Sequence, residues 1–498
     1  MPAEKVSDVH TLDALLEGIA AAPAIAIDDL TIDSRRVVRG SLFLAVAGAT
    51  HHGLQFCAKA VEAGAAAIAW DSDTAEAAPD DLGVPAIAVP GLASKLGKIA
   101  DRFFGQPSRD LQVIGVTGTN GKTTVAWLIA QCFDVLGASC GYAGTLGYGV
   151  GELTNDDDMT SPDVIEMHRR LAQFRDAGAN YAAVEVSSHA LDQHRVDAVR
   201  FDSTLFTNLS RDHLDYHGDM LAYGEAKAKL FTEHEAARRV INLDTEFGTD
   251  LASRCRGDVI TVSTKFDRVA NGRPFVFVRS VVAKEYGSDV RLQSSWGDAR
   301  FSVPLPGDFN VANTVLVLAY LLACGVGLDE ACDAISRVTA PPGRLQMVPA
   351  STGPAVYIDY AHSPEALESV LRALRAHCRG QLWCVFGCGG ERDAGKRPIM
   401  GRIAERLADR LVITNDNPRG ESPEAIFEDI VAGIKDATKA EIVEDRAAAI
   451  GWAIKSAEPT DLVLVAGKGH EDYQILADGR VDFSDFAVAA VTLDGVSE

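Results

Sequence analysis

One decapeptide constrains the fold of this chain more than any other stretch: Gly115-Val116-Thr117-Gly118-Thr119-Asn120-Gly121-Lys122-Thr123-Thr124. Before it stands Leu111-Gln112-Val113-Ile114, an apolar run of strand length. After it, Val125-Ala126-Trp127-Leu128-Ile129-Ala130, Phe133 and Leu136 recur at helical spacing until Gly137. The pattern predicts a buried strand, a glycine-rich turn and a helix in direct succession. Glycines let the backbone fold tightly around phosphate oxygens, and a helix start offers unpaired N–H groups and the positive end of its dipole. Lys122 adds a point charge, and the Thr123 hydroxyl is a ligand for Mg²⁺. The general phosphate loop carries a glycine five positions before Gly121, where this chain has Val116. The alternative is a purely structural glycine turn; the compact Gly-Thr-Asn-Gly-Lys-Thr-Thr form points to a nucleotide.

The chain has 498 residues, the length of roughly two to four domains. It is 47% hydrophobic and 23% charged, an ordinary globular profile with apolar material for several cores. The net charge of −23 argues against general binding to nucleic acid or to anionic membrane surfaces. An anionic substrate must therefore meet locally clustered basic residues. Nine scattered cysteines form no C-x-x-C pair, and Met1 to Asp8 lack a basic segment leading into an apolar one. Both features predict reduced thiols in a cytoplasmic protein. No apolar run approaches the ~20 residues of a membrane helix, so no membrane insertion is expected.

Repeats and low-complexity tracts are absent, and three regions can be drawn. Residues 1–105 hold short alternating segments, with strands expected at Ser41–Val46 and Ala66–Trp70. Residues 106–344 start with the glycine loop and continue in strand–helix alternation. Asn180–Val186 and Ser203–Thr207 read there as buried strands of one parallel sheet. Pro341-Pro342-Gly343 is a sharp breaker and a plausible hinge. Residues 345–498 carry four more strands, at Ala355–Asp359, Leu382–Phe386, Arg410–Thr414 and Asp461–Ala466, each followed by a polar loop. Ligands of open α/β sheets bind at such carboxyl ends. The expected fold class is α/β in three domains, with a central P-loop ATPase-type parallel sheet and a C-terminal Rossmann-like domain.

Glu185 ends its strand and is followed by Val186-Ser187-Ser188-His189. A carboxylate there can bind Mg²⁺ or stand solvated at a strand end. Asn208 to Gly218 follows the next strand, with Asp212, His213, Asp215 and His217 inside six residues. Spacing alone leaves a metal site and a polar loop equally open; hard oxygens with histidine suit Mg²⁺ better than structural Zn²⁺.

In combination these motifs resemble the Mur ligases of bacterial cell-wall synthesis. The later ones fit as well: Gly307-Asp308-Phe309-Asn310-Val311-Ala312-Asn313, Pro342-Gly343-Arg344, and Asp359-Tyr360-Ala361-His362-Ser363-Pro364. The resemblance runs from about Asp33 to Glu471, with the motifs in order. It implies ATP as co-substrate and Mg²⁺ as cofactor. ATP contacts are implied at Gly118, Thr119, Asn120, Gly121, Lys122, Thr123, Thr124, Asn310, Arg344, Asp359 and His362. Lys122, Glu185, His213 and Lys227 are implied as catalytic, with Thr123, Glu185, His213 and Lys227 at metal. Lys227 lies in Ala226-Lys227-Ala228-Lys229-Leu230-Phe231, which is similar to the family segment carrying an N-carbamylated lysine. The alternative is that Lys227 and Lys229 are ordinary helix-surface lysines; the carbamate is the favoured reading of Lys227.

The resemblance also implies the reaction. ATP phosphorylates the C-terminal carboxylate of a UDP-MurNAc-peptide, an amine attacks the acyl-phosphate, and phosphate leaves the tetrahedral intermediate. Thr160-Ser161-Pro162-Asp163, Ser187, Gln193 and Arg195 match residues on the UDP-MurNAc-dipeptide, and Asp33-Ser34-Arg35 resembles the uridine-side motif through Ser34. The acceptor is argued from three loops at strand ends: Gly389-Gly390-Glu391-Arg392-Asp393, Asp416-Asn417-Pro418-Arg419 and Gly467-Lys468-Gly469-His470-Glu471. Asp-Asn-Pro-Arg resembles the signature of members that add meso-2,6-diaminopimelate to UDP-MurNAc-L-Ala-D-Glu. Arg392 and Arg419 are expected on its carboxylates, Asp416 and Asn417 as positioning groups, Gly467 and Glu471 at the distal amino-acid end. Arginine presents a planar fork to a carboxylate. With lysine as acceptor, Arg419 is expected to stay buried and unpaired, at a cost on the order of 3–5 kcal/mol.

Three other readings compete. Folylpolyglutamate synthetase shares the ATPase core but lacks a dedicated UDP-binding first domain. A lysine-adding ligase is disfavoured by Arg419. An ATP-sensing protein without ligase activity need not keep Lys227, Arg392 and Arg419 together. Cys388 invites a nucleophile reading, but no base is implied beside it, and a small buried thiol is expected.

Overall fold

The computed structural model describes residues 10–48, 51–75, 82–155, 159–265 and 272–496. The segment Met1 to Asp8, from which a missing leader was read, lies outside them. Backbone contacts divide the chain into two compact units, Met1–Thr119 with Gly137–Arg239 and Arg254–Gly257, and Asn120–Leu136 with Val240–Ser253 and Asp258–Glu498.

The first unit contains a short antiparallel pair, His10–Thr11 with Ala26–Ile27, and two larger sheets. Asp29–Thr31, Ser41–Ala45, Ala67–Asp71 and Ala86–Val89 form a parallel four-stranded sheet in that order. Leu42, Leu44 and Ala69 pack on one face with Ile99 and Ala100, and the same core takes in Val164 and Ile165. Those two open the helix Val164–Asp176, which Asp163 caps by accepting from the Ile165 and Glu166 amides. In the other sheet the order is Phe201–Phe206, Gln112–Thr117, Tyr181–Glu185, Cys140–Gly144 and Gly147–Val150. Its members pair in parallel except for the last hairpin. The central strands are largely buried because both faces are covered.

The second unit opens with the helix Lys122–Val135. A meander of Phe275–Lys284, Gly287–Ser294 and Gly297–Val303 follows, joined in parallel to Asp258–Ser263. The sequence reading did not foresee it. Its apolar run Phe275–Val278 is broken by Arg279-Ser280, and much of the remainder is exposed. The last sheet has six strands in the order Gln346–Met347, Ala355–Asp359, Leu462–Ala466, Leu382–Phe386, Arg410–Ile413 and Ala440–Ile442, parallel except for the first. Leu367, Leu371 and Leu374 of the helix Pro364–Arg375 cover one face. Ala449, Ile450 and Ala453 of Arg446–Ser456, with Ala489 and Leu493, cover the other. This doubly wound arrangement is the expected Rossmann-like fold, with two short edge strands added.

All nine cysteines are free thiols. Burial pushes the Cys388 thiol up to about 12, and its sulfur sits 3.8 Å from Met400 Sδ, as expected of a packed and inert thiol. Among the described residues, no helix is long and apolar enough to cross a membrane.

Candidate functional site

The strand Gln112–Thr117 runs straight into the glycine loop. Gly118 has φ +150°, and a Cβ there would fall 1.9 Å from Thr207 Oγ1, so no larger residue fits. The loop is held from the side by the segment after Phe206. The Thr119 amide donates to Asn208 O at 2.8 Å, and Thr119 Oγ1 accepts from the Ser210 amide at 3.0 Å and from Tyr223 Oη at 3.2 Å. Lys227 is no surface lysine: it is 1% exposed, its Nζ donates to Gly118 O at 2.8 Å, and it lies 4.4 Å from the Tyr223 ring centre. Lys229 matches the surface expectation better, half-buried and paired with Asp192 at 2.9 Å.

Glu185 is fully buried. Oε1 accepts from Tyr142 Oη at 2.6 Å and from the Thr145 amide at 2.8 Å, and Thr145 Oγ1 donates to Oε2 at 3.3 Å. A solvated strand-end acid is thereby ruled out. Gly144 packs against it, since a Cβ there would lie 2.0 Å from Oε1. Around this carboxylate the structure gathers most residues expected on the dipeptide. Ser161 Oγ donates to Glu185 O at 2.9 Å and accepts from the Ser187 amide at 3.1 Å. Thr145 Oγ1 lies 3.2 Å from Thr160 Oγ1. Arg195 donates to Ser161 O at 2.9 Å and to Gln193 Oε1 at 3.0 Å. Ser34 lies on the 3₁₀ turn Ser34–Arg36, whose Arg35 amide donates to Asp33 Oδ1 at 2.9 Å, and has no described hydrogen bond to this group.

His213 sits at φ +52° in the loop after Phe206. Its ring is 4.9 Å from His189 and 6.0 Å from Tyr223, and His189 is 5.4 Å from His217. Burial and the neighbouring histidines hold His189 below the usual imidazole range; His217 is lowered chiefly by burial. Among the described residues no three His, Cys, Asp or Glu side chains converge on a metal position.

In the second unit, Gly121 has φ +86°, and a Cβ there would come within 2.5 Å of Asn313 Oδ1. Asn313 Nδ2 donates to Asn310 Oδ1 at 3.3 Å, and Asn310 Nδ2 to Pro306 O at 2.9 Å. Lys122, Thr123 and Thr124 form the first turn of the fourteen-residue helix Lys122–Val135. Asp359 is fixed by the backbone, accepting from the Leu345 amide at 2.7 Å and the Ala361 amide at 2.8 Å. Burial pushes its carboxyl up while the Arg344 guanidinium opposes that. Arg344 lies 4.8 Å from the Tyr360 ring centre, and His470 is 5.5 Å from the same ring. Arg344 Nε and His470 Nδ1 are buried with no hydrogen-bond partner among the described residues. His362 is exposed, with Nδ1 2.9 Å from Tyr360 O.

The three loops of the six-stranded sheet do converge. Asn417 Nδ2 donates to Glu471 Oε2 at 3.2 Å, and its Oδ1 accepts from Lys468 Nζ at 3.1 Å and from the Ile475 amide at 2.9 Å. Lys468 is buried and also reaches Glu471 at 2.8 Å. A Cβ on Gly467 would lie 2.4 Å from Asp416 Oδ2, and one on Gly390 only 1.9 Å from Pro418 O. Arg419 departs from expectation: it is half-buried, not buried, and its Nη1 already donates to Gly390 O at 3.0 Å and Asn417 O at 3.2 Å. Arg392 is exposed on its loop. Glu391 and Arg419 hold φ values of +54° and +56°, steadied by the Glu391 amide on Glu421 and the Arg419 amide on Ile475 O. Non-glycine residues rarely adopt that region outside functional loops.

Tyr142, Thr145, Tyr223, Asn313 and Lys468 were not singled out from sequence. Tyr223 was the most findable, one helical turn before Lys227.

A curated relative from Pseudomonas aeruginosa, named UDP-N-acetylmuramoyl-L-alanyl-D-glutamate–2,6-diaminopimelate ligase, is 46% identical over 467 residues, 93% of this chain and 94% of its own. The chain belongs to the Mur ligase family. Three models of this Mur ligase group match in succession: the Mur ligase family catalytic domain at residues 26–104, the Mur ligase middle domain at 116–321, and the Mur ligase glutamate ligase domain at 343–469. A solved Mur ligase structure, also of a UDP-N-acetylmuramoyl-L-alanyl-D-glutamate–2,6-diaminopimelate ligase, is 32% identical with a TM-score of 0.73, covering 98% of this chain and 100% of the other. The MurF ligase from Thermotoga maritima, solved in complex with ADP, shares the fold at 17% identity and TM-score 0.62, covering 94% and 96% of the two chains.

Proposed function

We propose that this Mur ligase is a cytoplasmic enzyme that adds meso-2,6-diaminopimelate to UDP-MurNAc-L-Ala-D-Glu, converting ATP to ADP and phosphate. The observation that carries the reading is the 46% identity, across 93% of the chain, to a relative bearing that ligase's name. The loop Asp416 to Arg419, locked into a network with Lys468 and Glu471, supports the choice of acceptor. The same reading divides the chain into a UDP-binding domain at 1–105, an ATP-binding domain at 106–344 and an amino-acid-binding domain at 345–498. The successive family matches support those limits.

In the first step two anions meet, the γ-phosphate and the peptide carboxylate. Lys122 and the N–H groups of the first helical turn lower that repulsion, with Gly118 and Gly121 letting the backbone approach. Arg344 is assigned to the phosphates, its orientation set by Asp359 through the Leu345 amide and by the Tyr360 ring; its unpartnered Nε fits an anion. Asn310 and His362 complete the nucleotide contacts.

The donors present suit Mg²⁺, since Thr123 and Glu185 offer hard oxygens and Glu185 is a buried carboxylate aimed by Tyr142 and Thr145. When bound, Mg²⁺ neutralises developing phosphate charge. Lys227 fits the carbamate assigned to it by its place, buried behind the glycine loop with Nζ on Gly118 O and beside the Tyr223 ring. His213 is assigned beside it. Ser161, Ser187, Gln193 and Arg195 hold the dipeptide, with Thr160 and, on the uridine side, Ser34. Arg392 and Arg419 take acceptor carboxylates, and Asp416, Asn417, Gly467 and Glu471 orient the amino-acid end. The amine then attacks the acyl-phosphate, and phosphate leaves.

The test is ADP release with each substrate omitted in turn. Release should require both UDP-MurNAc-L-Ala-D-Glu and the amino acid. Release without the peptide, or with a folate acceptor in its place, contradicts the proposal.

A further inference from the structure

Just beyond the helix Pro364–Arg375 stands a histidine to which the reading above gives no task. His377 is 6% exposed. Its Nε2 accepts from the Gly307 amide at 3.1 Å, and its Nδ1 lies 2.6 Å from Lys284 O. An amide N–H only donates and a carbonyl only accepts, so this ring is the neutral tautomer with its proton on Nδ1. Both partners come from distant segments. Lys284 ends the strand Phe275–Lys284, and the next residue, Glu285, pairs with Arg379 at 3.1 Å. Gly307 precedes the helix Asp308–Ala323, with φ +91°, and a Cβ on it would come within 2.8 Å of Ala373 Cβ.

From Gly307 the chain of contacts leads to the glycine loop. Asn310, in the first turn, donates back to Pro306 O; Asn313 donates to Asn310; and Asn313 Oδ1 fills the space where a side chain on Gly121 would stand. We propose that His377 is a positioning residue for the nucleotide. Clamped between the Lys284 carbonyl and the Gly307 amide, it sets the start of the helix whose Asn310–Asn313 face supports Gly121. The inference rests on the glycine loop being the ATP site. Losing the ring leaves the buried Gly307 N–H without its acceptor and releases the tie to the Lys284 carbonyl, so the helix start is then free to shift.

The experiment is titration calorimetry of the full chain with Mg-ADP, for wild type and His377→Gln, His377→Asn and His377→Leu. Melting temperatures and the KM for diaminopimelate are measured alongside. The leucine variant should bind ADP about ten-fold more weakly, the size of one lost buried hydrogen bond. Its KM for diaminopimelate should stay unchanged. Glutamine, whose amide offers an acceptor and a donor in one plane, should restore most of the affinity, with asparagine between them. That order stays readable from glutamine and asparagine if the leucine variant does not fold. ADP binding equal across the series, or a parallel rise of both constants following the melting temperature, overturns the proposal. Wild-type protein that fails to bind ADP overturns the ATP-site reading beneath it; wild-type binding with an unaffected series overturns this inference alone.

Discussion

Lys227 is assigned a larger share of the chemistry than a helix lysine ordinarily has. A lysine nitrogen this deeply buried needs polar company, and the Gly118 carbonyl and the Tyr223 ring provide it. Lys227→Ala should lower turnover by about two orders of magnitude or more, and small carboxylates such as acetate should partly restore it, as expected if the working form is a carbamate. Full activity without added carboxylate contradicts the assignment. Arg419 teaches the opposite lesson. Its type and place were legible in sequence, but its exposure was not, and a half-buried guanidinium resting on two carbonyls penalises a missing substrate carboxylate less than a buried one does. Beside it, Arg397 draws the Glu421 carboxyl down to about 2 while Glu421 also accepts from the Glu391 amide. The folded value lies below the ordinary 4.5, so this contribution is complete above pH 4.5 and is lost as pH falls toward 2. Glu421→Gln should flatten the loss of stability over that interval in acid denaturation; an unchanged acid limb contradicts it.

The elements divide into those whose pattern announced them and those held by distant contacts. Gln112–Thr117 and Lys122–Val135 were legible because a buried strand and a helix with apolar residues at regular spacing flank an unmistakable turn. The meander from Phe275 to Val303 was not, because it buries only part of one face. For the glycine loop the expectation is sharp. Gly118→Ala places a methyl group on Thr207, and ATP turnover should be abolished; an active alanine variant refutes the tight approach. In the six-stranded sheet, Arg446 is fully buried against Asp485 at 2.7 Å and donates to Asn415 O and Ala466 O at the carboxyl ends that carry the acceptor loops. Asp485→Ala leaves that guanidinium uncompensated and should destabilise this sheet by about 3–5 kcal/mol. Denaturant unfolding followed by tryptophan fluorescence, to which Trp383 of this sheet and Trp452 of the helix Arg446–Ser456 contribute, measures it. A change near zero would mean the pair is replaceable.

Across the whole molecule, motif order made the family legible, and the loops at the strand ends of the third region, where an α/β sheet binds ligands, made that doubly wound region legible. What stayed hidden was the support beneath those motifs: Tyr142 and Thr145 under Glu185, Asn313 under Gly121, Lys468 between Asn417 and Glu471. These contacts join residues far apart in sequence or carry no motif of their own, so no local pattern reports them. The central claim is the identity of the acceptor. The measurement is phosphate release and product mass with ATP, Mg²⁺ and UDP-MurNAc-L-Ala-D-Glu, with meso-diaminopimelate or L-lysine added in parallel. Turnover with diaminopimelate and not with lysine is predicted; turnover with lysine, or with neither, contradicts the account.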